Sequence, residues 1–588
     1  METLIEYLLT FSKYAIIGLS VVIIVRCLRS MLNERYDSET WGYIRFNDEM
    51  IPINHWENII GKGSSADIRI YGTGISRVHA VLSRSDRGVW RIYDIFSRGG
   101  VWVNGVLDDI KGARVKNGDI INLAGHNVEF VELNEEHVKE LEGRRFSAGR
   151  FISPAVTLIW LTVFEGFLLL ELIINSDPQY SRSFALSFLA LILLQWLSYT
   201  GMRVLERTGF EIETIAFYLT ALGLCVAASS TPGDIYKQVL LIAASVALFW
   251  ISGWWLRNLK RTELMRIPVA LLALILLAVN YATSDEIGGA RNWLTFGGYS
   301  FQPSELVKVF YIYAGASTLD KLYRKNNLYV FAGFSAVCVV ALALMGDFGT
   351  ALVFFVCFLV ISFMRSGSIA TVILAISGAV MAGLMAITAK PYIARRFETW
   401  GHAWEDVYDT GYQQVRAMSA AAAGGLFGKG AGNGWLKGIV AANTDMVFGI
   451  ICEELGLITA CCAVLAVIVL AVFAVRSAAH SRSAYHSIAA CAVVTMLITQ
   501  LALNIFGSMD LLPFTGVTFP FVSRGGSSLI SCWMLMAYIK CADNRRDASF
   551  AVKAADSYRP GVKTEDRETD DYTEDDYYIP EDWRQDEP

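Results

Sequence analysis

Residues 446–475 read MVFGIICEELGLITACCAVLAVIVLAVFAV. The run carries only Glu453 and Glu454 as charges, and it exceeds the roughly 20 residues that cross about 30 Å of hydrocarbon as helix. Similar runs fall at about 6–25, 152–174, 183–203, 210–229, 238–256, 266–282, 302–319, 327–345, 349–364, 369–389, 486–508 and 525–541. Together they predict about 13 spans. The composition agrees: 588 residues, 54% hydrophobic and 18% charged, with a mean hydropathy of +0.41. A soluble multidomain protein with charged surfaces is excluded, and so is a disordered or fibrous chain. A membrane β-barrel is excluded too, because its segments alternate over about 10 residues. The chain reads as a polytopic α-helical membrane protein with soluble attachments.

Charge places the connections. The net charge is −6, with acid crowded into the last 30 residues, so the total implies no nucleic-acid partner. The ten cysteines lie almost wholly inside apolar runs without metal-ligand spacing and read as small packing residues. The run at 6–25 is too long for a signal-peptide core and lacks a clear cleavage site. Arg26, Arg29 and Arg35 follow it. Alternate loops further on carry Arg203 and Arg207, Arg257 to Arg266, Lys321 to Lys325, Arg365, Arg476 and Arg482, and Lys540 to Arg546. Positively charged loops stay in the cytoplasm. Residues 41–135 and the acidic tail after 542 are therefore expected inside, and the loops 284–303 and 390–445 outside. The tail is polar enough to be expected disordered.

Residues 41–135 change character. Short alternating strands at 90–94, 101–103 and 128–131 are separated by turn signals such as Asn104-Gly105 and Asn117-Gly118. They predict a small all-β sandwich. Three loop clusters, Gly61 to Ser65, Ser76 to His79 and Asn104-Gly105, gather a cation, hydroxyls and amides suited to a phosphate. In order and spacing they resemble a forkhead-associated (FHA) domain, a family that reads phosphothreonine peptides. The resemblance implies charge from Lys62 and Arg77, a phosphate hydrogen bond from Ser76, peptide-backbone contact from Asn104 and a bracing role for His79. Lys62 stands where Arg is usual, and Val101 where Thr is usual. The domain is either a phosphothreonine reader or an interaction sandwich that has lost that function.

The loop 390–445 is too long to be a mere connector. It carries Arg395, Arg396, Arg416, Lys429 and Lys437, Trp400 and Trp404, and a glycine-rich stretch at 424–434. That stretch reads either as an anion cradle or as a flexible re-entrant loop. Asp445 follows at a helix mouth, as a proton acceptor or a helix cap. Glu453 and Glu454 lie about two turns on, where ionisable groups usually face a cavity. Glu305 and Lys308 share a helix face, as a structural bridge or a substrate site.

These segments resemble the SEDS family, whose members include RodA, FtsW and SpoVE. The resemblance rests on GGARNWLTFGGYSFQPSELVK (288–308), GDFGTALV (346–353), GYQQVRAMSAAAAGGLFGKGAGNG (411–434), NTDMVFGIICEELGLI (443–458) and LLPFTGVTFPFVSRGGSSL (511–529). It implies a ten-helix core over 210–541. Beside the core stand an N-terminal anchor at 1–30, additional spans at 151–205, the FHA sandwich at 41–135 and the tail at 542–588. It implies polymerisation of glycan from lipid II at the outer face of the cytoplasmic membrane, with Asp445 in the place of the essential aspartate. Trp293, Glu305 and Lys308 match the family's substrate cavity. Asn443 stands where His is usual, Arg416 where Gln is common, Arg524 where Tyr is usual, and Met345-Gly346 where Gln-Pro is usual.

The chemistry asks for these residue types. In the reaction that the resemblance implies, a sugar hydroxyl attacks an anomeric carbon bearing undecaprenyl diphosphate, and Asp445 is expected to take its proton. Lys308, Arg396, Lys429 or a divalent cation (Mg²⁺ or Mn²⁺) carried by the diphosphate offsets charge on the leaving group. The expected partners are lipid II, a class B penicillin-binding transpeptidase, and a phosphothreonine protein or the chain's own tail, which offers Thr564, Thr569 and Thr573. A lipid II flippase, or a scaffold recruited through the FHA domain, are the competing functions.

Overall fold

The computed structural model describes residues 2–550 apart from 34–39, 64–65, 86–87, 96, 108–111, 134–151, 206, 208, 286–289, 297–298, 320–326, 367–368, 390, 482, 544 and 546–548. The tail threonines lie outside the described residues. Helix α1 (Glu2–Asn33) precedes the β domain. After it come α2 (Pro154–Asn175), α3 (Ser181–Val204), α4 (Glu211–Ser230), α5 (Ile235–Leu256), the short α6 (Leu259–Leu264) and α7 (Arg266–Thr283). A hairpin of Leu294–Phe296 and Tyr299–Phe301 leads into α8 (Pro303–Leu319), α9 (Asn327–Leu344), α10 (Phe348–Ser366) and α11 (Ile369–Ala389). The short helices α12 (Pro391–Thr399), α13 (Tyr412–Gly424), α14 (Ala442–Asp445) and α15 (Val447–Leu455) follow. Three long helices end the bundle: α16 (Leu457–Ala479), α17 (Ala484–Ser508) and α18 (Gly526–Ala542).

Among the described residues, ten helices are long and apolar enough to cross a membrane: α1 to α5, α7, α9, α10, α16 and α17. Helices α8, α11 and α18 occupy the other three expected spans; α8 and α18 have 17 residues each. The chain is a multi-pass membrane protein with an extramembranous β domain. The single span expected over 446–475 is broken at Gly456, between α15 and α16. The cause is a backbone crossing. A side-chain carbon on Gly456 would lie 2.4 Å from the Leu426 carbonyl oxygen, and one on Gly428 would lie 2.3 Å from that of Glu454. Both glycines have positive φ, 88° and 77°.

Helix α4 is the buried axis, with every residue from Glu211 to Ser229 out of solvent. Its run of Ala, Gly, Ser and Thr lets neighbours approach closely. It packs against α1, α2, α3, α5, α15, α16 and α18. Its two ends mark the two ends of the bundle. At the N-terminal end Ser30 donates to Glu211 (2.8 Å), Lys540 pairs with Glu213 (2.9 Å) and Arg545 with Glu211 (3.1 Å). At the other end Ser229 donates to Glu454 (2.5 Å) and Asn443 to Ser230 (3.4 Å). The β domain is inserted between the C-terminus of α1 and the N-terminus of α2, where Arg26 donates to Thr157 (3.1 Å). It therefore leaves the bundle at the Glu211 end, opposite Asp445.

The β domain is a two-sheet sandwich. One sheet has the order β2-β1-β11-β10-β7-β8, with β1 Gly42–Phe46, β2 Glu49–Ile53, β7 Val101–Val103, β8 Val106–Leu107, β10 Ile120–Leu123 and β11 His126–Glu132. The other has the order β4-β3-β5-β6-β9, with β3 Glu57–Gly61, β4 Ile68–Arg69, β5 Ala80–Arg84, β6 Trp90–Asp94 and β9 Ala113–Val115. Alternate residues such as Ile44, Ile60, Leu82, Ile92, Ile121 and Phe130 fill the space between them. Val101 belongs to that core and is fully buried.

Candidate functional site

Asp445 closes α14, a single turn that begins at Ala441 in left-handed backbone (φ 62°). Its carboxylate is partly buried and faces the segment 513–525. Gly516 lies against it, and a side-chain carbon there would come within 3.2 Å of Asp445 Oδ2. Burial pushes the Asp445 carboxyl up to about 6, opposed by a hydrogen bond from the Thr444 side chain and by the charge of Arg396. Arg396, on α12, thus lies within electrostatic reach of Asp445. A carboxylate poised near working pH beside a cation is suited to taking a proton.

The glycine-rich stretch does something different. Its amides are spent on the protein's own carboxylates. Gly432 N and Gly434 N donate to the Glu454 carboxylate (3.0 and 3.3 Å). Trp435 N and Leu436 N donate to that of Glu453 (3.1 and 3.0 Å), which also pairs with Lys429 at 2.8 Å. Lys429 N and Gly430 N bind the Glu453 and Glu454 carbonyls, so the loop caps α15. Glu171, on α2, holds a further amide, accepting from Ala431 N (2.8 Å) and from Ser12 of α1 (2.6 Å). Asn175 donates to the Ala431 carbonyl (2.9 Å). The helices that bracket the β domain thus grip this loop at the Asp445 end.

Lys308 and Glu305 form a closed pair at 2.6 Å, with side chains 2% and 4% exposed. Pro303 starts α8 and sets both on one face. Ser531 of α18 donates to the same Glu305 oxygen (2.9 Å), and Gln302 reaches Asp347 at 3.3 Å. Trp293 is half-buried at the approach to the hairpin before α8. The geometry therefore falls into Asp445 at the mouth within electrostatic reach of Arg396, a Glu305–Lys308 cluster, and Lys429 bound to Glu453. Asn504, Ser523 and Glu171 are polar contributors that the sequence reading passed over. The signal for Asn504 was its amide, one of two with Gln500 within the apolar run 486–508.

Two departures from the family pattern meet. Arg524 N donates to the Asn443 carbonyl (2.8 Å). The Arg524 side chain reaches Asp234 (3.2 Å), and that of Asn443 reaches Ser230 on the preceding turn of chain. The exchanged pair is tied to the same corner of the bundle.

In the β domain the 61–63 and 76–77 loops are joined by Lys62 N to Ser76 O (3.1 Å) and Gly63 N to Arg77 O (2.9 Å). Lys62, Arg77 and Asn104 are exposed, and Ser76 is half-buried. His79 is fully buried and braces the loops, accepting from Ser76 N (3.1 Å) and meeting the Gly100 carbonyl (3.1 Å). Asn104 holds its turn through Asp119 and Ile120 N, each at 2.9 Å.

A family model described as "Cell cycle protein", covering FtsW, RodA and SpoVE, matches residues 214–547, and an "FHA domain" model matches residues 58–124. The chain is similar to the peptidoglycan glycosyltransferase RodA of Mycobacterium leprae, at 28% identity over 322 residues, 52% of this chain and 68% of that one. It is similar to the probable peptidoglycan glycosyltransferase FtsW of Tolumonas auensis, at 31% identity over 370 residues, 59% of this chain and 96% of that one. The crystal structure of Thermus thermophilus rod shape determining protein RodA aligns with a TM-score of 0.43 and 23% identity, covering 56% of this chain and 95% of that one. With more than half of its length matched by one family model, and an FHA domain ahead of that match, the chain belongs to the SEDS family of FtsW, RodA and SpoVE.

Proposed function

We propose that this chain is a peptidoglycan glycosyltransferase that polymerises glycan strands from lipid II at the outer face of the cytoplasmic membrane. In this reading Asp445 is the general base and the FHA domain reads phosphothreonine in the cytoplasm. The enzymatic class rests on family membership and on relatives that carry that activity in their names. The placement of Asp445 carries the catalytic detail: a partly accessible carboxylate beside Arg396, at the bundle end opposite the FHA insertion.

Asp445 accepts the proton of the acceptor sugar hydroxyl as the oxygen attacks the anomeric carbon of the donor. The new glycosidic bond forms as the bond to the undecaprenyl diphosphate breaks, and the diphosphate leaves with the electron pair. Arg396 supports charge at this mouth, and the donor's tail stays in the bilayer. Mg²⁺ or Mn²⁺ enters this reading on the diphosphate itself, which can hold such an ion largely unaided. Among the described residues no group of three or more His, Cys, Asp and Glu is placed to bind one. Lys308, Glu305 and Trp293 would line the donor side, and Lys429 acts there through the loop that it ties to Glu453. A class B penicillin-binding transpeptidase would cross-link the product, during wall growth or division.

Two observations favour a second reading. The broken helix at Gly456 and the buried Glu305–Lys308 pair are features that a lipid II flippase also uses. Incubating the purified full-length protein with lipid II, with and without the transpeptidase, separates the two. Glycan polymer supports the proposal. Its absence, with lipid II transport in proteoliposomes, supports the flippase.

A further inference from the structure

Helix α14 ends at Asp445, and its last carbonyls have no partners within that turn. Three consecutive carbonyls there are each held from elsewhere. Arg524 N donates to Asn443 O at 2.8 Å, and the Ser523 hydroxyl donates to Thr444 O at 2.5 Å. The Asn504 amide donates to Asp445 O at 3.0 Å. Asn504, on α17, is 2% exposed, and its amide nitrogen also donates to Val517 O at 2.8 Å. One side-chain amide therefore joins the segment bearing the carboxylate to the segment 513–525 that covers it. Ser523 makes a parallel link, because its oxygen also accepts from Phe519 N at 2.8 Å.

The side chain has to be an amide for this. An Asn NH₂ group carries two donors, an ionised Asp none and a Leu none. The backbone on both sides is strained. Ala441 and Phe521 are non-glycine residues with φ of 62° and 65°. Such conformations persist where surrounding contacts over-determine them. The side chain of Asp445 makes none of these three bonds, which hold the backbone that carries it.

We infer that Asn504, with Ser523, is a positioning residue for glycan polymerisation, fixing the backbone of Asp445 so that its carboxylate meets the acceptor hydroxyl. The inference rests on the reading of Asp445 as the base. If Asn504 only packs, its replacement lowers the amount of folded protein and leaves the kinetics of the remainder unchanged.

The test uses full-length protein in nanodiscs, with lipid II polymerisation followed over a pH series for wild type, Asn504→Asp, Asn504→Ala, Ser523→Ala and Asp445→Asn. Misplacing a reacting group by about 1 Å costs up to about 100-fold. The expected result for the Asn504 variants is a 10- to 100-fold fall in kcat per folded molecule, with KM within about twofold. In Asn504→Ala the pH of half-maximal rate should also fall below the wild-type value, because a loosened carboxylate gains water; Asn504→Asp adds a like charge that opposes this shift, so its readout is kcat alone. Arg396 is the charged neighbour that acts on Asp445, and these variants leave it in place. Ser523→Ala removes one oxygen and gives the milder form of the same change, readable even where the Asn504 variants fold poorly. Wild-type kcat in the folded fraction of Ser523→Ala and of either Asn504 variant, with the pH midpoint of Asn504→Ala also unchanged, would overturn the inference. Wild-type polymerisation by Asp445→Asn would instead remove the reading on which it rests.

Discussion

Asp445 stands just before the apolar run that holds Glu453 and Glu454, eight and nine residues on, and the fold treats these carboxylates in opposite ways. The glutamates are wrapped. Four loop amides, Lys429 and the Ser229 hydroxyl are turned on them. Asp445 keeps a partly open carboxylate at the mouth, against a glycine. A buried carboxylate with its acceptor sites filled is part of the scaffold, since the groups that stabilise it also keep a substrate hydroxyl out of reach. A carboxylate raised by burial and left open is available for chemistry. The distinction lies in what surrounds each group.

The sharpest way to break this comparison is Asp445→Asn. Its backbone bonds survive and its geometry is nearly conserved, so the protein should remain folded. With Asp445 as the proposed base, its loss should cost about 100- to 10,000-fold in lipid II polymerisation, read as glycan ladder formation by purified protein. Polymer of wild-type length and rate would move the base to another group.

Glu454→Ala tests the other side. It leaves Gly432 N, Gly434 N and the Ser229 hydroxyl without their acceptor, at about 1–3 kcal/mol for each buried group left unpaired. The expected outcome is a large drop in thermal stability of the detergent-solubilised protein, and activity that falls with the folded fraction. Glu453→Ala should behave alike, because it strands Lys429 as well. Unchanged melting with abolished catalysis would make a glutamate the chemical group.

Much of this architecture was legible beforehand, and the failures have physical causes. Hydropathy over about 20 residues reports lipid contact, so the spans could be read. The β domain could be read because turns and alternation are local signals. The break at Gly456 escaped because it depends on Gly428, which arrives by the tertiary fold. The glycine-rich stretch read either as an anion cradle or as a flexible re-entrant loop; the anions its amides meet are the protein's own glutamates, contributed by α15 and, through Glu171, by α2. The grip of α1 and α2 on that loop depends on a contact 260 residues apart in the chain, Ala431 to Glu171. Local pattern carries no such information.

The pH profile sharpens the contrast more gently. With the Asp445 carboxyl at about 6, the rate should plateau above that pH and fall about tenfold per unit below it, as the base becomes protonated. Stability should run the other way. The folded value lies above the ordinary carboxylate value of about 4, so the folded state holds this proton more tightly. Its contribution to stability is present below about pH 4 and is lost as the pH rises to about 6. Asp445→Asn should remove that slope from the melting temperature between pH 4 and 6. A slope unchanged in the variant would assign it to another group.

The smallest effect concerns the FHA domain, where the same criterion applies to cations. Lys540 and Arg545 at that end of the bundle are buried in ion pairs, whereas Lys62 and Arg77 are exposed beside Ser76. Open cations around a hydroxyl suit a doubly charged phosphate, and each charge-assisted hydrogen bond contributes about 1.5–3 kcal/mol. Full-length protein in nanodiscs should bind a phosphothreonine peptide, and Lys62→Ala or Arg77→Ala should weaken it at least about tenfold. Polymerisation without a ligand should not change, because both residues lie at the far end from Asp445. The chain's own tail is the competitor to consider. A tether can present its threonines at about millimolar effective concentration, so weak docking would suffice. Phosphorylating the tail should then weaken binding of the added peptide severalfold, and removing residues 551–588 should restore it. Equal affinity in all three forms would exclude the tail as ligand. Failure of every phosphopeptide to bind would show that Lys62 in place of Arg, with Val101 turned into the sandwich core, leaves an interaction domain that no longer reads phosphate.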